Sequence, residues 1–359
     1  MNERVIVIGG GQSGLATAHA LVRRGARPVL LEAGPEATGS WGRYYDSLRL
    51  FTPAKLDALP GRPFPGDPTH YPTRDEVTDY LRRYADGIDA EIRTGTRVVS
   101  VDRQADGYVV RTERGAEFEA PAVVAATGQF DRPHRPELPG LDGYTGDVLH
   151  AADYRRPEEL AGRRVLVVGA GNSAVQIAVE LALHARVSIA SRQPIRYAST
   201  TPVPGDSVVW KALALAARVP IGGLFGTGSI PVIDTVGVRA AIEAGHPDRR
   251  ELPVRADGDT LHWGDGTAET VDTVLLATGY RPALDYLHPL GLSHSRDPGV
   301  PEHSGGMSRR YPGLAFVGLE HQRTILSATL CGVGRDAAHV AARLTGGGRR
   351  LLGTGGGNR

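Results

Sequence analysis

The sequence predicts an α/β protein built from two Rossmann-like dinucleotide-binding units, the second inserted into the first. Three observations carry this expectation. An apolar run, a Gly-x-Gly turn and a helical pattern follow one another at residues 4–22 and again at 163–184. Two further apolar runs, 121–128 and 272–280, both end in Ala-Thr-Gly. The chain has 359 residues, room for two or three domains with separate cores.

The first unit opens with RVIVIG, apolar throughout as a buried parallel strand requires. GGGQSG follows, then LATAHALVRRG with helical spacing, then RPVLLE, a second strand closing on Glu32. Gly9, Gly11 and Gly14, with Glu32 23 residues after Gly9, form the dinucleotide fingerprint in its strand–turn–helix–strand context. Gly9 makes the tight turn, Gly11 admits a diphosphate to the backbone, and Gly14 lets helix and strand pack closely. Gln12 and Ser13 stand at the helix N-terminus, which faces the diphosphate. Glu32 accepts hydrogen bonds from the adenosine ribose.

The second unit, RRVLVVGAGNSAVQIAVELALH, repeats the pattern with Gly169, Gly171 and Ala174, and with Asn172 and Ser173 opening its helix. Its second strand ends in Ser191 and Arg192, and Arg192 stands 23 residues after Gly169, where the first unit has its acid. A carboxylate there would repel a 2′-phosphate, whereas a guanidinium binds one in bidentate fashion, so this site is expected to prefer NADPH.

The Ala-Thr-Gly runs place Thr127 and Gly128 at the exit of the first unit, and Thr278, Gly279 and Tyr280 at the exit of the second. The chain is therefore divided into a first part of an FAD domain (1–157), an inserted NADPH domain (158–280), an FAD-domain return (281–345) and a disordered tail (346–359). The first site is assigned FAD because the chain leaves it and comes back, through the strand YPGLAFVG ending at Gly318 and a helix around DAAHVAARL. The N-terminus of that helix is expected near the flavin's pyrimidine edge, where it would stabilise negative charge.

Composition narrows the chemistry. A net charge of +1, 41% hydrophobic and 23% charged residues describe an ordinary globular chain with no pull toward nucleic acid. Cys331 is the single cysteine, which excludes an internal disulfide or a Cys-x-x-Cys redox centre and suits a reducing cytoplasm. The first residues run straight into a strand with no leader pattern. The apolar stretch 208–233 carries Lys211 and Arg218 and is a poor membrane span, so no stable insertion is expected. No metal-ligand spacing and no nucleophile elbow is present. Two dinucleotide sites without a dithiol or metal point to chemistry carried by the flavin itself.

Between the two glycine motifs lies Tyr144-x-Gly146-x-x-x-His150-x-x-x-Tyr154, which resembles the fingerprint of the class B flavoprotein monooxygenases. Gly39-Ser40-Trp41 resembles that family's FAD-site segment, and YDSLRLFTPAKLDALPGRPFP (45–65) the flavin-side stretch after it. The resemblance covers residues 1 to about 345. It implies that NADPH reduces FAD, that reduced flavin and O2 give a C4a-(hydro)peroxide, and that a small, hydrophobic organic substrate is oxygenated in a water-free cleft. Heteroatom or carbon oxidation is favoured because Tyr154 is followed by Arg155 rather than by the Baeyer–Villiger pattern; ester formation remains an alternative, as does an oxidase or reductase that passes electrons to a quinone or to O2 without oxygen insertion. The family's histidine, here His150, couples nucleotide binding to domain position. Thr52 stands where animal-type members carry an asparagine donor near the flavin. His150 and Thr52 are thus the two candidates for a catalytic role. Tyr144 and Tyr154 are read as structural. Residues 203–250 are read as an apolar lid, with a packed excursion of the NADPH domain, or a membrane or homodimer contact, as alternatives.

Overall fold

The computed structural model describes residues 4–138, 141–216, 218–220, 222, 231–292 and 299–346. The first unit forms β1 (Arg4–Ile8), α1 (Gln12–Val22) and β2 (Arg27–Leu31), followed by α2 (Arg74–Asp86) and β3 (Glu91–Arg93). A meander of β4 (Val98–Gln104), β5 (Gly107–Thr112) and β6 (Glu117–Ala120) leads to β7 (Ala122–Ala125) and the short β8 (Arg132–Pro133). The second unit contains β9 (Asp147–His150), β10 (Arg164–Val168), α3 (Asn172–Leu181), β11 (Arg186–Ala190), α4 (Val209–Ala216), α5 (Val238–Glu243) and β12 (Asp248–Arg250). A second meander, β13 (Arg255–Asp257), β14 (Thr260–His262) and β15 (Ala268–Thr270), precedes β16 (Thr273–Leu276) and β17 (Tyr280–Arg281). The chain then returns through β18 (His303–Ser304), β19 (Met307–Ser308), β20 (Leu314–Phe316) and α6 (Leu330–Gly346).

These strands make two main sheets, ordered β18-β19-β20-β7-β1-β2-β3 and β12-β11-β10-β16-β9. The second is parallel throughout, and the first is parallel from β20 to β3. In both, the strand before the glycine turn lies between the strand that follows its helix and the Ala-Thr-Gly strand. Val5–Ile8 pairs with Ala122–Ala125, and Val165–Val168 with Thr273–Leu276. β1 and β10 are apolar on both faces because each sheet is covered on both sides. α1, α2 and α6 cover one face of the first sheet and its meander the other. α3 and α5 cover one face of the second, with the β13–β15 meander opposite. The first chain segment thus forms one domain that residues after 281 complete, with the second domain inserted between.

Two expectations are corrected. The boundary at 157/158 falls too late, because β9 already belongs to the second sheet, Asp147–His150 pairing in parallel with Thr273–Leu276. β9 is a half-exposed edge strand, so its sequence lacks the apolar run that betrays β10. The lid reading of 203–250 also fails for its described residues, none of which lines the central cavity. Trp210 is buried edge-on against Tyr71, and the Tyr71 hydroxyl donates to the Val203 carbonyl. Val232, Val238 and Ile242 join the core of the second domain, while β12 extends its sheet. Its described residues form a packed excursion of the second domain that contacts the first. Residues 217, 221 and 223–230 of it, and 347–359 of the expected tail, lie outside the described residues. No helix among the described residues is long and apolar enough to cross a membrane.

The domains meet through polar and aromatic contacts. β8 pairs antiparallel with β17, so the two exits from the sheets run side by side. Tyr45 of the first domain enters the core of the second, donating its hydroxyl to Gln176 Oε1 at 2.7 Å and packing against Tyr154. Tyr45→Phe removes one buried hydrogen bond and should cost about 1 kcal/mol. Tyr45→Ala also leaves a cavity and should cost about 3–5 kcal/mol, read by denaturant or thermal unfolding.

Candidate active site

One cavity of about 1780 Å3 runs between the domains. Ligand pockets generally measure about 300–1,000 Å3, so this space exceeds what one small ligand fills. It is lined by Gly9, Gly11, Gln12, Ser13, Glu32, Ser40, Trp41, Thr52, Thr127, Gly128 and Gly318 from the first domain. From the second come Gly169, Gly171, Asn172, Ser173, Ala174, Ser191, Arg192, Thr278, Gly279 and Tyr280. Every site residue named from the sequence reaches this cavity except Gly14 and His150.

The first glycine turn is shaped by close approach. Gly9 has φ +104°, and a Cβ on it would stand 2.8 Å from the Ala126 carbonyl oxygen. Gly14 packs so tightly that a Cβ would fall 1.8 Å from the Gly9 oxygen, which keeps it behind the turn and away from the cavity. Glu32, at the end of β2, accepts the amide of Gly10 on Oε2 at 2.5 Å and that of Gly34 on Oε1 at 2.6 Å. Its carboxylate is thereby fixed beside the turn, with lone pairs left over. Gln12 accepts from Trp41 Nε1 and donates to the Ala328 carbonyl, both at 2.8 Å, tying the helix start to the return segment. Thr329 and Leu330 at the start of α6 line the cavity too, so this helix end does reach it. Across the cleft, His134 lies within electrostatic reach of Arg192 and Arg281; burial, then these cations, hold its pKa below the ordinary value.

His150 is fully buried and does not line the cavity. Its Nδ1 accepts the Ala152 amide at 3.0 Å, which leaves the proton on Nε2 to donate to the Gly279 carbonyl at 3.1 Å. Its ring also meets Tyr280 edge-on at 5.0 Å. The linker histidine thus holds the second sheet exit and takes no place among the cavity groups. The rest of the fingerprint works alongside it. The Tyr144 hydroxyl donates to the Val271 carbonyl, and a Cβ on Gly146 would lie 2.3 Å from that hydroxyl. Tyr154 donates to Glu180 on α3 at 2.9 Å.

Other cavity residues had no sequence signal. Tyr44, hydrogen-bonded to Ser40 at 2.8 Å, and Phe130, edge-on to Tyr280 at 5.7 Å, give the cleft an aromatic wall with Trp41. His321 is the one non-glycine with positive φ (52°) among the described residues. Asp57 is 1% exposed. Its Oδ1 accepts the Thr52 hydroxyl at 2.7 Å and its Oδ2 has no hydrogen-bond partner. Burial pushes the Asp57 carboxyl up to about 8, only partly offset by the Thr52 hydrogen bond. Asp57 lies within the 45–65 stretch that resembles the family's flavin side, but nothing there singles out the acid, and only burial marks it.

Burial, ahead of the cation Arg135, holds the His150 imidazole below its ordinary pKa. A folded-state pKa below the unfolded one means that protonation favours unfolding. Stability should therefore fall as the pH drops below about 6.5, the unfolded histidine value. His150→Gln should flatten part of that dependence relative to the wild type, read as the difference between the two Tm-against-pH curves; superimposable slopes would show that His150 is not buried neutral.

The chain matches the family model for pyridine nucleotide-disulphide oxidoreductases over residues 6–204. A CzcO-like oxidoreductase of Geobacillus kaustophilus is 32% identical over 344 residues, covering 94% of this chain and 96% of that one. The rice indole-3-pyruvate monooxygenase YUCCA1 is 31% identical over 310 residues, 77% of this chain and 76% of its own. Among solved structures, a flavin-containing monooxygenase from Stenotrophomonas maltophilia is 31% identical, covers 96% of this chain and 98% of its own, and superimposes with a TM-score of 0.84. With two dinucleotide-type turns opening into one cavity and a single cysteine in the chain, the site agrees with the flavin-oxygenase relatives and lacks the dithiol of a disulphide reductase. The chain belongs to the pyridine nucleotide-disulphide oxidoreductase family and, within it, to the class B flavin-dependent monooxygenases.

Proposed function

We propose that this protein uses NADPH, FAD and O2 to place one oxygen atom on a small, apolar organic substrate, the second oxygen leaving as water. The observation that carries this reading is that both glycine turns and both Ala-Thr-Gly exits line one continuous cavity. When bound, FAD supplies hydride acceptance and oxygen activation.

The protein's own residues bind, orient and keep the site dry. In the first half, the α1 N-terminus with Gly9, Gly11, Gln12 and Ser13 would receive the FAD diphosphate, and Glu32 would take the ribose hydroxyls. Ser40, Trp41, Thr52, Thr127, Gly128 and Gly318 would surround the remainder. In the second half, Gly169, Gly171, Asn172, Ser173 and Ala174 would hold the nicotinamide dinucleotide, with Thr278, Gly279 and Tyr280 along its other side. Ser191 and Arg192 would receive the 2′-phosphate, and the nearby Arg281 adds a second cation. The aromatic wall of Trp41, Tyr44, Phe130 and Tyr280 supports a hydrophobic substrate and the exclusion of water. The substrate in the rice relative's name, indole-3-pyruvate, pairs an aromatic ring with a charged 2-oxo acid, so only its ring matches such a wall.

The purified protein should carry or take up FAD, oxidise NADPH slowly alone, and do so faster with a productive apolar substrate while peroxide release falls. Peroxide formed in step with NADPH whatever the substrate would favour an oxidase instead. Arg192→Ala should raise the KM for NADPH roughly 10–100-fold, as loss of a charged hydrogen-bond partner does, and leave that for NADH nearly unchanged. Equal effects on both nucleotides would refute the phosphate role.

A further inference from the structure

The segment between Trp41 and α2 places an unusual pair in the FAD half of the cavity. Thr52 and Asp57 both line it, both are buried, and they face each other through one hydrogen bond of 2.7 Å. Asp57 Oδ2 is left without a partner in a place where water is scarce, and no cation stands against the carboxyl. The titratable groups within electrostatic reach of Asp57, each raised by it, are the Cys331 thiol of α6 and the Tyr80 hydroxyl of α2. Burial raises Cys331 to about 11 and raises Tyr80 above its ordinary value, so both are neutral near pH 7. Arg335 acts on Cys331 and Arg62 on Tyr80, so these cations stand behind neutral groups. An unpaired buried carboxylate is costly, and the usual outcome is a carboxyl that keeps its proton.

The proton decides what Thr52 can offer the cavity. A hydroxyl has one O–H and two lone pairs, while an ionised carboxylate only accepts. Against a carboxylate, the Thr52 O–H is spent on Asp57 and only its lone pairs face the cavity. Against a carboxylic acid protonated on Oδ1, the oxygen that faces Thr52, the Asp57 O–H donates to Thr52 Oγ1, and the Thr52 O–H is released to donate elsewhere. We propose that Asp57 is a positioning residue that carries a proton at neutral pH and thereby turns the Thr52 hydroxyl into a hydrogen-bond donor toward the flavin ring. Loss of that proton to solvent reverses the hydrogen bond, and no other bond is made or broken. This inference rests on the reading of the first half as the FAD site, but the protonation of Asp57 stands apart from it.

Infrared and visible spectra separate the two. In the difference between wild-type and Asp57→Asn spectra, which cancels the other raised carboxyl, Asp336 at about 6, the carbonyl band of a protonated carboxylic acid should be present near pH 6, with and without FAD, and fade in a single step centred on about 8. Asp57→Asn should lack that band. The asparagine amide donates to Thr52 Oγ1 as the protonated acid does, so the absorption of FAD bound to this variant should hold its low-pH position at every pH, while the wild-type spectrum shifts along with the infrared step. Thr52→Val should keep the infrared step, moved to higher pH because its hydrogen bond is lost, and should lose the flavin shift. Absence of a carboxylic acid band at pH 6, or an equal flavin shift in Asp57→Asn, would overturn the proposal. A band that titrates in a protein unable to bind FAD would sink the flavin assignment and leave the protonated Asp57 standing.

Discussion

The architecture depends on one steric constraint applied twice: the first glycine of each motif has no side chain where a sheet exit passes over it. A Cβ on Gly9 would stand 2.8 Å from the Ala126 carbonyl oxygen, and one on Gly169 would stand 2.4 Å from that of Ala277. These approaches put both Ala-Thr-Gly segments directly over the helix N-termini. The exits can then run together as the β8–β17 ribbon, which joins the two domains. A larger residue at either glycine would push the exit away from the turn and open the cleft on that side. Binding geometry and domain arrangement thus share a single cause.

The linker fingerprint acts on the same junction. Tyr144 anchors its start to Val271, Gly146 leaves room for the tyrosine hydroxyl, β9 docks on β16, and His150 secures the Gly279 carbonyl. Tyr154 completes the series on α3 and packs against Tyr45 from the other domain. None of these groups needs to touch a ligand for the spacing to matter. Displacing any one of them would move Gly279 and Tyr280, which do line the cavity. A histidine that looks catalytic in a motif is here a neutral hydrogen-bonding strut.

The cavity's electrostatics are split between its halves. The first has a carboxylate, Glu32, held by backbone amides at the turn, and a second acid, Asp57, with no such support. Two backbone amides hold both oxygens of the first, whereas the second has one oxygen on the Thr52 hydroxyl and the other bare, and burial raises its pKa. In the second half, Arg192 and His134 line the cavity, and Arg281 and Arg192 act on His134, whose pKa burial and these cations lower.

The sequence by itself determined the α/β class, the two dinucleotide-type turns, the insertion of one unit in the other and a set of site residues of which all but Gly14 and His150 line the cleft. It could do so because buried parallel strands are apolar on both faces and because turns with close backbone approach demand glycine at set positions. Tertiary structure alone decided where β9 pairs, since a half-exposed edge strand has no periodic signature. It also decided that residues such as Trp210 and Ile242 are spent on packing between and within domains instead of roofing the cleft. The Asp57–Thr52 pair and the strut role of His150 belong to it as well. Burial and the absence of a partner are properties of what surrounds a side chain, and neighbours distant in sequence leave no mark on the local pattern.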